Sequence, residues 1–151
     1  MSQSLSKLYV HIIFHVKNNK AVIKNEDKQE LYAYIGAIIK SLNSLPIAIN
    51  GTSDHIHIMA VMSKNIALAK FLEDIKRHSS RWIKSKGEHY QNFAWQGGYA
   101  GFSVSPSLHD KTKSYINNQE EHHKKIPFKK ELILFLKEYN VEYDERYLYA
   151  E

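Results

Sequence analysis

The sequence predicts an α+β fold of the ferredoxin-like type, βαββαβ, with an antiparallel sheet and helices on one face. Three observations carry this expectation. Two segments show the two-residue alternation of strands, two others repeat apolar residues at spacings of three and four, and the elements fall in the order β-α-β-β-α-β. A further helix beyond the fourth strand, carrying a tyrosine, follows on the same reading.

The first strand is expected from about Leu5 to Lys17. There Leu8, Val10, Ile12, Phe14 and Val16 alternate with Tyr9, His11, Ile13 and His15. Lys17-Asn18-Asn19-Lys20 then supplies turn-forming residues. From Asn25 or Glu26 to Leu42 the period becomes helical, with Leu31, Ile35, Ile38, Ile39 and Leu42 on one side and Glu26, Asp27 and Glu30 at the end that favours acids. Pro46 opens a short strand, Ile47 to Asn50. Gly51-Thr52-Ser53-Asp54 turns the chain into a hairpin with the next strand, His55 to Met62.

A second helix spans about Ala67 to Ser85, apolar along Leu68, Phe71, Leu72, Ile75, Trp82 and Ile83. Its other faces carry Lys70, Lys76, Arg77, Arg81 and Lys84. Trp95-Gln96-Gly97-Gly98 leads into a fourth strand, Tyr99 to Val104. A third helix then runs from Ser105, Pro106 or Ser107 to His122 or His123, with Pro127 beyond its end. The tail from Phe128 holds a short helical pattern, Leu132, Phe135 and Leu136. A sheet with helices on one face leaves its other face to be covered or used for binding.

At 151 residues and 17.6 kDa the chain suits one domain. A net charge of +5 and a pI near 9.2 favour a polyanionic partner. The absence of cysteine excludes a disulfide framework and thiolate metal sites, and it fits a reducing cytoplasm. No apolar run approaches the ~20 residues that cross a bilayer. The stretch from Leu8 to Phe14, interrupted by His11, reads as a strand and not as a signal peptide.

His55-Ile56-His57 places two imidazoles on one face of a strand, with Ile56 and Ile58 on the other. Neutral imidazole ligates divalent transition metals, so the pair is half of a metal site, and the rest must come from elsewhere. Asp54 reads as a turn residue, a partner of the pair or a ligand. His11 and His15 share a strand face and approach the pair if the first and third strands are neighbours. A chain with nine histidines also yields such pairs by chance.

Tyr115 and Gln119 lie four residues apart on the third helix, and so on nearly the same side. A phenol near a divalent metal can attack a phosphodiester, but at an ordinary pKa of about 10 it needs a metal or base to release its proton. Ten tyrosines are present, most of them necessarily packing or surface residues. Glu120, Glu121, His122 and His123 add polarity beside it.

Joined together, these residues resemble the HUH transposases of small bacterial insertion sequences that use a single tyrosine, or a domesticated repeat-associated relative. The resemblance runs through His11-Ile12-Ile13-Phe14, Asp54-His55-Ile56-His57-Ile58, Trp95-Gln96-Gly97-Gly98-Tyr99 and Tyr115-Ile116-Asn117-Asn118-Gln119, followed by His122-His123. It implies a catalytic domain over 1–125, with 126–151 as a tail packed on or extending it. It implies a metal, Mg²⁺ or Mn²⁺, on His55, His57 and Gln119, and Tyr115 as nucleophile toward single-stranded DNA. The expected products are a 5′-phosphotyrosine link and a free 3′-OH. The resemblance also implies recognition of hairpin DNA at element ends, and homodimers in which one subunit's tyrosine helix reaches the other's histidine pair. Lys76, Arg77, Arg81 and Lys84 are candidate DNA contacts, although a solvated helix face reads the same way.

Two other readings fit parts of the pattern. A non-catalytic nucleic-acid module would use aromatics on the open sheet face, where the first and third strands instead carry histidines. A metal hydrolase with a water nucleophile would use His55 and His57 and form no covalent protein–DNA product.

Overall fold

A computed structural model describes residues 2–17 and 21–148. Strand β1 (Leu8–His15) is followed by helix α1 (Lys28–Ser41), strands β2 (Leu45–Gly51) and β3 (His55–Met62), helix α2 (Leu68–Lys84) and strand β4 (Ala100–Ser103). Among the described residues three further α-helices follow: α3 (His109–Asn117), α4 (Gln119–His123) and α5 (Phe128–Glu138). The strands form one antiparallel sheet in the order β2-β3-β1-β4, so the expected βαββαβ architecture is present. The first strand is shorter at both ends than its alternation suggested.

Alternation along the two central strands divides the side chains cleanly. Ile12, Phe14, Ile56 and Ile58 are fully buried on one face, against Leu31, Ile35 and Ile39 of α1 and Phe71, Leu72 and Ile75 of α2. Helix α1 stops where Asn43 takes up a left-handed conformation, φ 54°. The amide of Ser44 then returns to the Ile39 carbonyl and that of Asn43 to Lys40, which satisfies the last turn. Asn140, also at φ 54°, closes α5 by the same bonds to Leu136 and Lys137.

The second face is not open. Ile13 and Phe102 pack on Leu132 and Leu136 of α5, and Ala48, Met59 and Val104 pack on Ile116 of α3. Phe128, Leu132, Phe135 and Leu136 form a short amphipathic stripe, too brief to be stable alone but sufficient against an apolar sheet.

One long third helix was expected; the structure divides it. A 3₁₀ turn at Pro106–Leu108 leads into α3, and the helix breaks at Asn118, φ −107° and ψ 23°, before α4. The Asn50 side-chain amide of β2 donates to the Ile116 and Asn117 carbonyls at 2.9 and 3.1 Å, supplying partners for backbone groups at the break.

Candidate metal centre and nucleophile

Register brings the histidines together. Pairing of β1 with β3 sets Ile13 opposite His57 and His11 opposite Met59, which makes His11 and His57 diagonal neighbours on the second face. Their rings meet, Nε2 of His11 to Nδ1 of His57, at 2.8 Å. His15 lies opposite His55 at the strand end. Both His55 and His57 are buried.

Each ring of the pair is held by its Nδ1 and turned so that Nε2 faces one point. His55 Nδ1 donates to Asp54 Oδ1 at 2.8 Å, and Thr52 Oγ1 donates to the same carboxylate oxygen at 2.9 Å. The His55 hydrogen bond is the main cause holding the Asp54 carboxyl below its usual range, against the effect of burial. Asp54 therefore orients a ring, as partners of metal-bound histidines commonly do.

The other side of the site comes from α4 and α5. Nε2 of His55, His57 and His123, with a carboxylate oxygen of Glu131, all lie within 4.8 Å of one another. Glu131 Oε1 is 2.9 Å from His57 Nε2 and 3.1 Å from His123 Nε2, while His55 Nε2 stands at 3.8 Å. Gln119 points its amide nitrogen toward Glu131 Oε2 and the Tyr115 carbonyl, at 3.4 and 3.5 Å. Its Oε1 is left facing His55 and His123 at 3.2 and 3.0 Å. So many electron-pair donors aimed at one small volume is the chemistry of a cation site.

Glu131 also reaches the phenol. The Tyr115 hydroxyl donates to Glu131 Oε2, and the Tyr115 and His57 ring centroids are 5.8 Å apart. The tyrosine helix and the histidine pair thus meet within a single chain. Burial, the hydrogen bond to Glu131 and the carboxylate's charge push the Tyr115 pKa well above the ordinary phenol value. Burial works against ionisation of Glu131, but hydrogen bonds from His123 and His57 and the Tyr115 hydroxyl outweigh it and hold the carboxyl well below its usual range. Burial lowers His57 to about 4, despite the opposing hydrogen bond and charge of Glu131, and lowers His11 to about 3. Both rings are neutral near pH 7.

Sequence reasoning missed Glu131 and passed over His123 as helix-end polarity. A signal for Glu131 existed: it falls in the apolar stripe of α5, three residues after Phe128 and four before Phe135. A carboxylate at a core position of an amphipathic helix requires a buried partner.

The four candidate DNA contacts on α2 lie across the sheet from this site, since α2 covers the opposite face. Lys76 donates to the carbonyls of Gln96 and Gly98 at 3.0 and 2.6 Å, and burial lowers its pKa to about 8. Arg77 pairs with Asp74 at 3.2 Å, and Arg81 and Lys84 are exposed. The Trp95-Gln96 motif braces the sheet instead. Trp95 Nε1 donates to Ser79 Oγ at 2.9 Å, and Gln96 exchanges two hydrogen bonds with the His15 backbone.

A family profile described as "Transposase IS200 like" matches residues 4–119. Among solved structures, a protein of Deinococcus radiodurans R1 with a provisional assignment as a transposase is 22% identical, with a TM-score of 0.61 over 79% of this chain and 98% of its own. A REP-associated tyrosine transposase, solved bound to a REP hairpin, is 13% identical, with a TM-score of 0.60 over 83% of this chain and 76% of its own. At these identities the two structures speak to the fold. Comparison with curated proteins gives no significant match.

Proposed function

Because the chain belongs to the IS200-like transposase family, we propose that it is a DNA transposase that cleaves and rejoins single-stranded DNA by metal-dependent transesterification. The observation that carries this reading is the meeting of the Tyr115 hydroxyl with the His55, His57, His123 and Glu131 donor cluster through one carboxylate.

In this mechanism the Tyr115 oxygen attacks the scissile phosphorus and the bond to the 3′ oxygen breaks. The phenol proton passes to Glu131 Oε2, the atom it already bonds. Glu131 is too weak a base to hold that proton beforehand, so transfer accompanies attack. The departing 3′ oxygen takes a proton from water and becomes a free 3′-OH. One phosphodiester replaces another, so the later attack of a 3′-OH on the phosphotyrosine rejoins strands without a nucleotide cofactor. His55, His57, His123 and Glu131, with Gln119, would hold a divalent cation, Mg²⁺ or Mn²⁺, which would supply positive charge to the phosphate oxygens.

Supporting features extend to the partners. The hairpin-bound relative favours hairpin DNA as the substrate, and the net charge of +5 suits a polyanion. We assign the catalytic domain to 1–125, completed by the segment 126–151 through Glu131. A homodimer belongs to the same proposal, with Tyr115 serving the histidine pair of its own chain instead of the partner's, as does action in the bacterial cytoplasm. Among the described residues no helix is long and apolar enough to cross a membrane.

The test incubates the protein with single-stranded hairpin DNA and Mg²⁺ or Mn²⁺, followed by a denaturing gel. A covalent adduct is expected with the wild type and is absent with Tyr115→Phe or a chelator. An adduct that persists in Tyr115→Phe removes the nucleophile assignment. Cleavage by the wild type with no adduct at any time favours water as the nucleophile.

A further inference from the structure

Beside Tyr115 a cavity of about 260 Å³ opens between α3 and α5. Its aromatic wall is made by His11, Tyr115, Phe135 and Tyr139, and its charged lining by Lys111 and Glu138. We propose that this cavity is a nucleobase pocket that seats the DNA base next to the scissile phosphate. The inference rests on the transesterase reading, since it is Tyr115 that sets the phosphate's position.

Size is the first argument. The cavity is smaller than the ~300–1,000 Å³ of pockets that enclose whole small-molecule ligands, and it suits one planar base with its sugar left outside. The wall is the second. Phe135 stands edge-on to both Tyr115 and His11, at centroid separations of 5.5 and 5.1 Å and angles of 78° and 84°. Tyr139 is stacked on Phe102 at 4.6 Å, and its hydroxyl donates to the Ser103 carbonyl at 2.9 Å. It is thus fixed while remaining 36% exposed. Held aromatic surfaces bind unpaired bases by stacking, whatever their sequence.

The charged residues add discrimination. Lys111 precedes Tyr115 by four residues, one turn of α3, and so lies on the nucleophile's side of the helix. Its ammonium can only donate and the Glu138 carboxylate can only accept. The Watson–Crick edge of guanine offers an acceptor, O6, next to the donors N1–H and N2–H. Adenine offers no carbonyl to Lys111. Guanine, with O6 for Lys111 and two donors for Glu138, is therefore expected to be preferred over adenine.

The experiment compares adduct formation on hairpin substrates whose nucleotides flanking the cleavage point carry guanine, adenine or no base. At one flanking position, removal of the base is expected to slow adduct formation about 10- to 100-fold. Tyr139→Ala should slow the intact substrate similarly and add nothing on the abasic one, whereas Tyr139→Phe, which keeps the ring, should restore the rate. Glu138→Gln should narrow the preference for guanine over adenine. Full rates on abasic substrates at both positions, or multiplied losses from Tyr139→Ala and base removal, overturn the pocket.

Binding without chemistry keeps the two proposals apart. A short single strand carrying 2-aminopurine is expected to lose fluorescence on the wild type and to keep it on Tyr139→Ala. Quenching without any adduct supports the pocket and sinks the transesterase, while an adduct with equal quenching on both proteins does the reverse.

Discussion

His11 Nε2 and His57 Nδ1 share one proton across 2.8 Å, and the direction of that bond decides what His57 presents to the donor cluster. With Glu131 ionised, His57 Nε2–H donates to Oε1, so the remaining proton must sit on His11 Nε2. When His57 Nε2 ligates a cation it can carry no proton, and its Nδ1–H must donate to His11. His11 is therefore a positioning residue whose neutral ring, with its pKa lowered to about 3, can donate this bond in one state and accept it in the other. His11→Phe is expected to weaken Mn²⁺ binding about 10- to 100-fold by titration calorimetry. In the wild type the ¹⁵N signals of His11 and His57 should exchange protonation patterns on cation binding; unchanged affinity and unchanged signals together would remove the role.

Stability of the metal-free protein should fall with acid. Burial lowers His57 to about 4 and His11 to about 3, below the 6.5 of an unfolded histidine. The unfolded chain thus binds protons that the fold refuses, and stability falls as pH drops from about 6.5 toward 4. Glu131, whose pKa is depressed, adds a loss that begins near 4.5 and grows below it. As ceilings, His57 contributes about 3 kcal/mol and His11 about 5 kcal/mol over their windows. Urea denaturation at a series of pH values measures the slope, and a flat profile between pH 7 and 4.5 would contradict the buried neutral pair.

Glu131→Gln removes the charge that Tyr115 faces. The Tyr115 pKa should fall toward the ordinary phenol value, though burial keeps it raised. The variant should also lose about 1–3 kcal/mol of metal-free stability, because donors matched to a carboxylate meet an amide. Tyrosinate absorbance against pH, wild type minus variant, reads the first effect, and its absence would place the hydroxyl outside Glu131's influence.

Lys76 and its helix neighbours should separate by experiment. Replacing exposed Arg81 or Lys84 with Ala is expected to reduce the salt dependence of DNA binding by about one unit of slope each, if α2 meets the backbone. Lys76→Met should instead cost about 1–3 kcal/mol of stability, because its ammonium holds the Gln96 and Gly98 carbonyls. Unaltered slopes for both surface variants would take α2 out of the DNA interface.

Ser79→Ala deprives the Trp95 indole of its acceptor, and Trp95 is buried beside Phe14 and Phe93. A loss of about 1–3 kcal/mol in urea is expected. No loss would mean that water reaches the indole.

Much of this was legible because strands and histidines advertise themselves. The alternation from Leu8 to Val16 gave both the strand and the shared face of His11, Ile13 and His15. His55-Ile56-His57 gave its facing by period alone, and the boundaries His55 and Met62 agree with the structure. The break at Asn118 was hidden because its cause, the Asn50 amide, lies in a distant strand. Glu131 was hidden because a charged residue in a Lys-rich tail helix reads as solvated until the helix's packing face is known. The covered second face follows from the same tail, whose apolar stripe is only two turns long.

The sheet's two faces have a consequence for how mutations in this protein would be inherited. In β1, Val10, Ile12 and Phe14 build the α1–α2 core while His11 and His15 lie on the face of the donor cluster; β3 repeats the pattern, with His55 and His57 on its odd side. A saturation scan that scores cellular abundance and transposition separately should therefore show parity. Even positions would lose both readouts, whereas His11, His55 and His57 would lose transposition while largely keeping abundance. Ile13 and Met59, apolar and buried among the odd positions, would be the exceptions. Neighbouring codons would then evolve under different pressures, one set by folding and the next by chemistry.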